Sequence, residues 1–186
     1  MMFTDTLNAN TLSRRQNEHG QVFGTSCGWA RTHGLKTNSK AHKALSILAK
    51  RDGVPDTVVM DRSKEQTLGE FRKKHGQMDV CVQQTEPHSQ WANAAEGQTR
   101  ELKQGSAQKM TSTNTPKRFW DDCLETEGCV QSHTALDICQ LNGEVLETVM
   151  KGCTADISPC AEHSWCQWSF WTDPIAQFLN CKTRLG

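Results

Sequence analysis

An α/β fold, a mixed sheet flanked by helices, is what the sequence predicts. Three short strand patterns open the chain as a meander, and an amphipathic helix then separates them from a further apolar strand, the order of a crossover onto a sheet. The 186 residues, 35% hydrophobic and 23% charged, suffice for a buried core and fit one domain with an appendage.

The strands come first. Phe3 to Leu7 and Gln21 to Thr25 flank polar turn material ending in Gly20, and Trp29 to His33 completes the meander. Asn38 and Ser39 offer an N-cap to a helix whose Ala41, Ala44, Leu45, Leu48 and Ala49 recur at helical spacing until Asp52-Gly53. Thr57 to Met60 is a short apolar strand followed at once by Asp61. A helix over Leu68 to His75, a strand over Met78 to Gln83 and a long helix from Trp91 to Met110, capped by Ser89, come next. Pro116 opens a helix with Phe119, Trp120, Cys123 and Leu124 on one side, and Cys129 to Leu141 forms another helical segment. Beyond Asn142-Gly143 the pattern changes to turns and a stretch with Trp165, Trp168 and Trp171, which are read as packing residues like Trp91 and Trp120. A boundary near Gly143 therefore divides residues 1–142 from a short C-terminal extension, 143–186.

No apolar run approaches the roughly 20 residues that cross a bilayer, and the opening residues lack the basic and apolar regions of a secretory signal. The expectation is an intracellular protein, with no membrane partner, whose nine cysteines are reduced thiols. Cys153, Cys160, His163 and Cys166 have six, two and two intervening residues, which are not the paired spacings of a zinc site. Lys/Arg and Asp/Glu balance at 21 each, yet residues 1–50 carry seven basic against two acidic and residues 111–186 five against ten. A basic front and an acidic back suit a protein that turns one side to a polyanion.

Two acids stand at strand positions, Asp5 within the first strand and Asp61 at the exit of Thr57 to Met60. A third, Glu96, lies inside the long helix with 34 residues between it and Asp61. Carboxylates from two neighbouring strands and a facing helix can hold two Mg²⁺ about 3.5–4 Å apart, an arrangement that stabilises both the attacking and the leaving oxygen of a phosphoryl displacement. Hard oxygen donors suit Mg²⁺ rather than zinc. Arg100 and Lys103 follow Glu96 at four and seven positions, on the same helix face.

The ordered words Thr4-Asp5-Thr6, Gly53-Val54-Pro55, Asp61 to Gln66, Gln84 to Trp91, Asn93 to Glu96, Leu102-Lys103 and Pro116 to Asp121 resemble the integrase core of copia-type LTR retrotransposon polyproteins. Asp156 to Ser158 and the Trp165 and Trp168 pair resemble that family just beyond the core, so the likeness spans nearly the whole chain. It implies a ribonuclease-H-like fold in which Asp5, Asp61 and Glu96 bind Mg²⁺ or Mn²⁺ and carry out DNA integration. Metal-activated water trims a retroelement DNA end, and the new 3′ hydroxyl attacks target DNA. It further implies that Asn93, Arg100 and Lys103 contact DNA, that the setting is the nucleus, and that the core acts within a larger assembly, with room for a homo-oligomer.

Several positions depart from the family. His88 and Cys166 stand where it commonly has tyrosine, and Gln90, Leu146 and Leu179 where it has proline. The acid spacing is one residue shorter than usual. Only four residues precede Asp5, so a first strand shorter than the family's is expected, in a piece of a longer polyprotein. These departures support an alternative reading, a decayed copy that keeps the fold and weak nucleic-acid binding and joins DNA poorly or not at all.

Overall fold

The computed structural model describes residues 1–60, 70–84, 90–135 and 143–153, except for the side chains of 90–95. Five strands, β1 (Met2–Asn8), β2 (His19–Gly24), β3 (Ala30–Leu35), β4 (Thr57–Met60) and β5 (Cys81–Gln84), form one sheet in the order β3-β2-β1-β4-β5. The meander β1-β2-β3 is antiparallel, whereas β4 pairs in parallel with both β1 and β5. Parallel neighbours cannot be joined by a tight turn, and α1 (Ala41–Arg51) and α2 (Glu70–Gln77) lie in the connections before β4 and β5. The predicted mixed sheet with flanking helices is thus present. β1, expected to be short, spans seven residues at the sheet's centre.

Each face of the sheet has its own apolar layer. Met2 of β1, Phe23 of β2 and Val58 and Met60 of β4 pack with Ala41, Ala44, Leu45 and Leu48 of α1 and Phe71 of α2. The α1 residues recur every three or four positions, so they form one stripe. Leu7, Val22 and Ala30 face Leu102 of α3 (Gln90–Ser112) and Leu124 of α4 (Trp120–His133), with Trp120 packed alongside. No helix among the described residues is long and apolar enough to cross a membrane.

Local differences from the sequence reading have physical causes. The expected cap at Asn38 and Ser39 does not form, because a 3₁₀ turn (Asn38–Lys40) feeds α1 and the Ser39 hydroxyl pairs with that of Thr37 at 2.9 Å. At the other end Gly53, with φ of 98°, turns the chain out of the helix as expected. Ser89 lies outside the described residues. α4 runs unbroken from Trp120 to His133 rather than as two segments, since its buried stripe continues through small residues. A Cβ on Gly128 would already touch the Ala30 carbonyl oxygen at 3.5 Å, and the Ser132 hydroxyl donates to that oxygen at 2.8 Å while accepting from the Ala30 N–H at 3.0 Å. Periodicity in large apolar residues does not register such a contact.

The chain past Gly143 is tied to the body at once. α5 (Leu146–Lys151) buries Leu146 completely in the first apolar layer. Glu147 accepts from Trp29 Nε1 at 2.7 Å and pairs with Arg31 at 2.5 Å, and Lys151 bridges Glu147 and Asp52 at 2.6 and 3.0 Å. Trp165, Trp168 and Trp171 lie outside the described residues, as do Cys160, His163 and Cys166. Cys27, Cys81, Cys123 and Cys153 are free thiols, but Cys129 is disulfide-bonded. This corrects the reading of all cysteines as reduced, which rested on the lack of an export signal and not on which sulfurs the fold brings together.

Candidate active site

Asp5 occupies the middle of the central strand and shares a sheet face with Phe3 and Leu7, the face that α3 covers. Its strand is held on both sides, by Val22 as antiparallel partner of Asp5 and by Met60 as parallel partner of Thr4. From the reverse face a fully buried amide fixes the same stretch. Gln21 Nε2 donates to Thr4 Oγ1 at 2.5 Å and to the Asp5 carbonyl oxygen at 3.1 Å, and Gln21 Oε1 accepts from Thr6 Oγ1 at 2.9 Å. Sequence reasoning passed over Gln21, although a polar residue opening the apolar run Val22-Phe23 was the available signal.

Asp61 lies outside the described residues. It follows Met60 directly in the chain, and Met60 is registered with Thr4, the neighbour of Asp5.

Glu96 sits on an exposed flank of α3, where Arg100 and Lys103 are exposed as well. Asn93 belongs to the same helix, and its side chain is outside the description. Two residues past Glu96, Gln98 Nε2 donates to the carbonyl oxygens of Gly28 and Trp29 at 3.0 Å each. A Cβ on Gly24 would lie 1.8 Å from Gln98 Oε1, so glycine there lets the helix approach. Gly24 is the partner of Phe3, and Leu102 packs with Leu7, so α3 runs along β1 in the strand's own direction. Strand and helix, each carrying one of the acids, are packed against each other.

Other acids have structural duties. Asp121, fully buried, accepts from Asn17 Nδ2 at 2.7 Å, while Asp122 and Glu125 pair with Arg15. Burial pushes the Glu125 carboxyl up from its ordinary value against the pull of Arg15. Asp52 and Glu147 are engaged by Arg31 and Lys151, and Glu127 pairs with Lys109 at 2.6 Å. Much of the acidic back of the chain is therefore consumed in internal pairs.

The described residues contain no group of three His, Cys, Asp or Glu placed to hold a metal, and the middle acid of the expected triad is outside them. The donor set of the triad is all carboxylate, which fits a hard divalent cation.

A five-stranded mixed sheet of this order, with α3 and α4 on one face and α1 and α2 on the other, has the ribonuclease-H-like architecture of an integrase core. Solved structures share it, among them the two that follow. The catalytic core domain of BIV integrase is 13% identical, with a TM-score of 0.62 over 80% of this chain and 91% of that one. The simian T-cell lymphotropic virus intasome in complex with PP2A regulatory subunit B56 gamma is 13% identical, with a TM-score of 0.61 over 83% of this chain and 55% of that one. At such identity the likeness is one of fold. No protein-family model and no curated protein matches the chain.

Proposed function

We propose that the chain is the catalytic core of a copia-type integrase, joining retroelement DNA ends to target DNA by divalent-metal-dependent polynucleotidyl transfer. The observation that carries this reading is the parallel register of Thr4 with Met60, which ends β4 beside Asp5 with Asp61 as the next residue, within a fold similar to integrase cores. Asp5, Asp61 and Glu96 would hold Mg²⁺ or Mn²⁺. Bound there, the metal supplies Lewis-acid stabilisation of the attacking and leaving oxygens.

The protein's own contribution is position. β1, clamped between β2 and β4 and pinned by Gln21, sets the Asp5 carboxylate. Gln98 sets the helix that carries Glu96. Arg100 and Lys103, exposed on α3, engage DNA phosphates, and Asn93 positions the DNA end. In-line attack by water and then by a 3′ hydroxyl follows from holding the ends at that site. On this reading the partners are retroelement ends and target DNA, the assembly is a homo-oligomer and the setting is the nucleus.

A second reading, an inactive copy that retains the fold, draws on Gln90. This residue opens α3 where the resembled family has proline, so the turn leading to Glu96 lacks a fixed φ. A strand-transfer assay with Mg²⁺ or Mn²⁺ on matched DNA ends separates the two. Joining by the natural chain that disappears in Glu96→Gln supports the enzyme, and absence of joining with duplex binding intact supports the inactive copy.

A further inference from the structure

The end of the β2–β3 hairpin is held from two directions at one residue. The Thr25 N–H donates to the Trp29 carbonyl oxygen at 3.0 Å, which closes the turn, and the carbonyls of Gly28 and Trp29 are the two that anchor Gln98 of α3. The Trp29 side chain belongs to the opposite layer, with α1 and α2, and is fully buried there. Its indole has a single donor, Nε1, and that donor finds its acceptor on α5, at Glu147 Oε2. Arg31 donates to the same oxygen at 2.5 Å while its guanidinium lies over the Trp29 ring, 4.7 Å from the centroid, so the ring is gripped by face and by edge. A buried carboxylate needs a cationic partner, and Arg31 and Lys151 already supply two. The bond to the indole is therefore additional, and what it fixes is the ring.

We propose that Glu147 is a positioning residue for the candidate metal site. It holds the Trp29 indole, the indole holds the hairpin end, and the hairpin end presents the two carbonyls that fix the helix carrying Glu96. Gln98 is two residues from Glu96, about 3 Å of helix rise, so a shift at one is carried to the other. Metal ligands tolerate misplacement of only about 0.5 Å, and contiguous packed and hydrogen-bonded groups are the means by which such a shift travels. Without Glu147 the buried indole N–H lacks its acceptor, and the ring must turn or admit water to satisfy it. The proposal rests on the metal-site reading above and adds α5, beyond the boundary near Gly143, to the working core.

The test measures two quantities on the full chain, amide hydrogen exchange over residues 97–102 relative to β1, and affinity for Mn²⁺. Glu147→Ala should speed that exchange about tenfold and weaken Mn²⁺ binding about tenfold. Because Glu147→Ala also strands Arg31 in the interior, the decisive variant is Trp29→Phe, which keeps an aromatic ring and every ion pair and removes only the Nε1 donor with part of the ring. It should show the same two changes. Glu147→Gln, whose amide oxygen still accepts from Nε1, should restore both to the natural level. Two controls separate positioning from mere stability. Lys151→Ala removes a partner of Glu147 that does not touch Trp29, and Leu48→Ala opens a cavity in the same apolar layer. Both should lower the urea midpoint and leave the relative exchange and the Mn²⁺ affinity unchanged. Natural behaviour of Trp29→Phe, a Glu147→Gln variant as loose as Glu147→Ala, or a Leu48→Ala variant that matches Trp29→Phe in both readouts overturns the proposal. Failure of the metal-site reading looks different, as a natural chain that takes up no Mn²⁺, and the exchange pattern then still decides whether Glu147 sets α3.

Discussion

Thr4 of β1 and Met60 of β4 are parallel partners at the centre of the sheet, so the chain leaves β4 one residue short of the level of Asp5. That register is set by pattern. Val58 and Met60 bury against α1 and α2 on one face, and a slip of one residue would turn both away from that layer. Packing therefore fixes the level at which β4 ends beside β1.

Gln21 should matter for stability beyond its size. Replacing it with Leu removes the bonds of its amide to the Thr6 hydroxyl and the Asp5 carbonyl oxygen, while Thr4 still donates to the Val22 carbonyl oxygen at 2.9 Å. The expected loss is about 1–3 kcal/mol, read as a lower urea midpoint with an unchanged slope.

Gly24 and Gln98 should behave as one unit. Gly24→Ala displaces the Gln98 amide and forfeits its bonds to Gly28 and Trp29, so Gln98→Ala should cost much less in that background than in the natural chain. Additive losses in a double-mutant cycle would show that the two residues do not share one contact.

How much of this was legible in the sequence depended on what carries each contact. Thr57–Met60 and the α1 stripe were readable because large apolar residues mark them. The continuity of α4 and the docking of α5 were not, since Gly128, Ser132 and Glu147 make those contacts by close approach and buried polar bonds. The same holds at the site. Asp5 and Glu96 stood out as acids at strand and helix positions, whereas Gln21 and Gln98, which hold their elements in place, are amides that no spacing rule selects.

His33 should make stability depend on pH. Burial, reinforced by the nearby Arg51 charge, pushes its imidazole down to about 4 from an ordinary value near 6.5. The folded state therefore binds fewer protons than the unfolded state between those values, so the contribution is complete above about pH 6.5 and is lost as pH falls toward 4. Up to about 3 kcal/mol is at stake. Unfolding curves across that range should flatten in His33→Gln.

Arg100→Ala and Lys103→Ala should each weaken DNA binding for all sequences alike. Each should also lower the slope of log affinity against log salt by about 0.9. Unchanged slopes would remove these side chains from the phosphate interface.

The central claim is that Asp5, Asp61 and Glu96 form one divalent-cation site. Titration of the chain with Mn²⁺, following free ion by electron paramagnetic resonance, tests it most directly. The account predicts saturable binding in the natural chain that is lost or strongly weakened in Asp5→Asn, Asp61→Asn and Glu96→Gln alike. Binding that persists in any one of the three, or a natural chain that takes up no Mn²⁺, would contradict it.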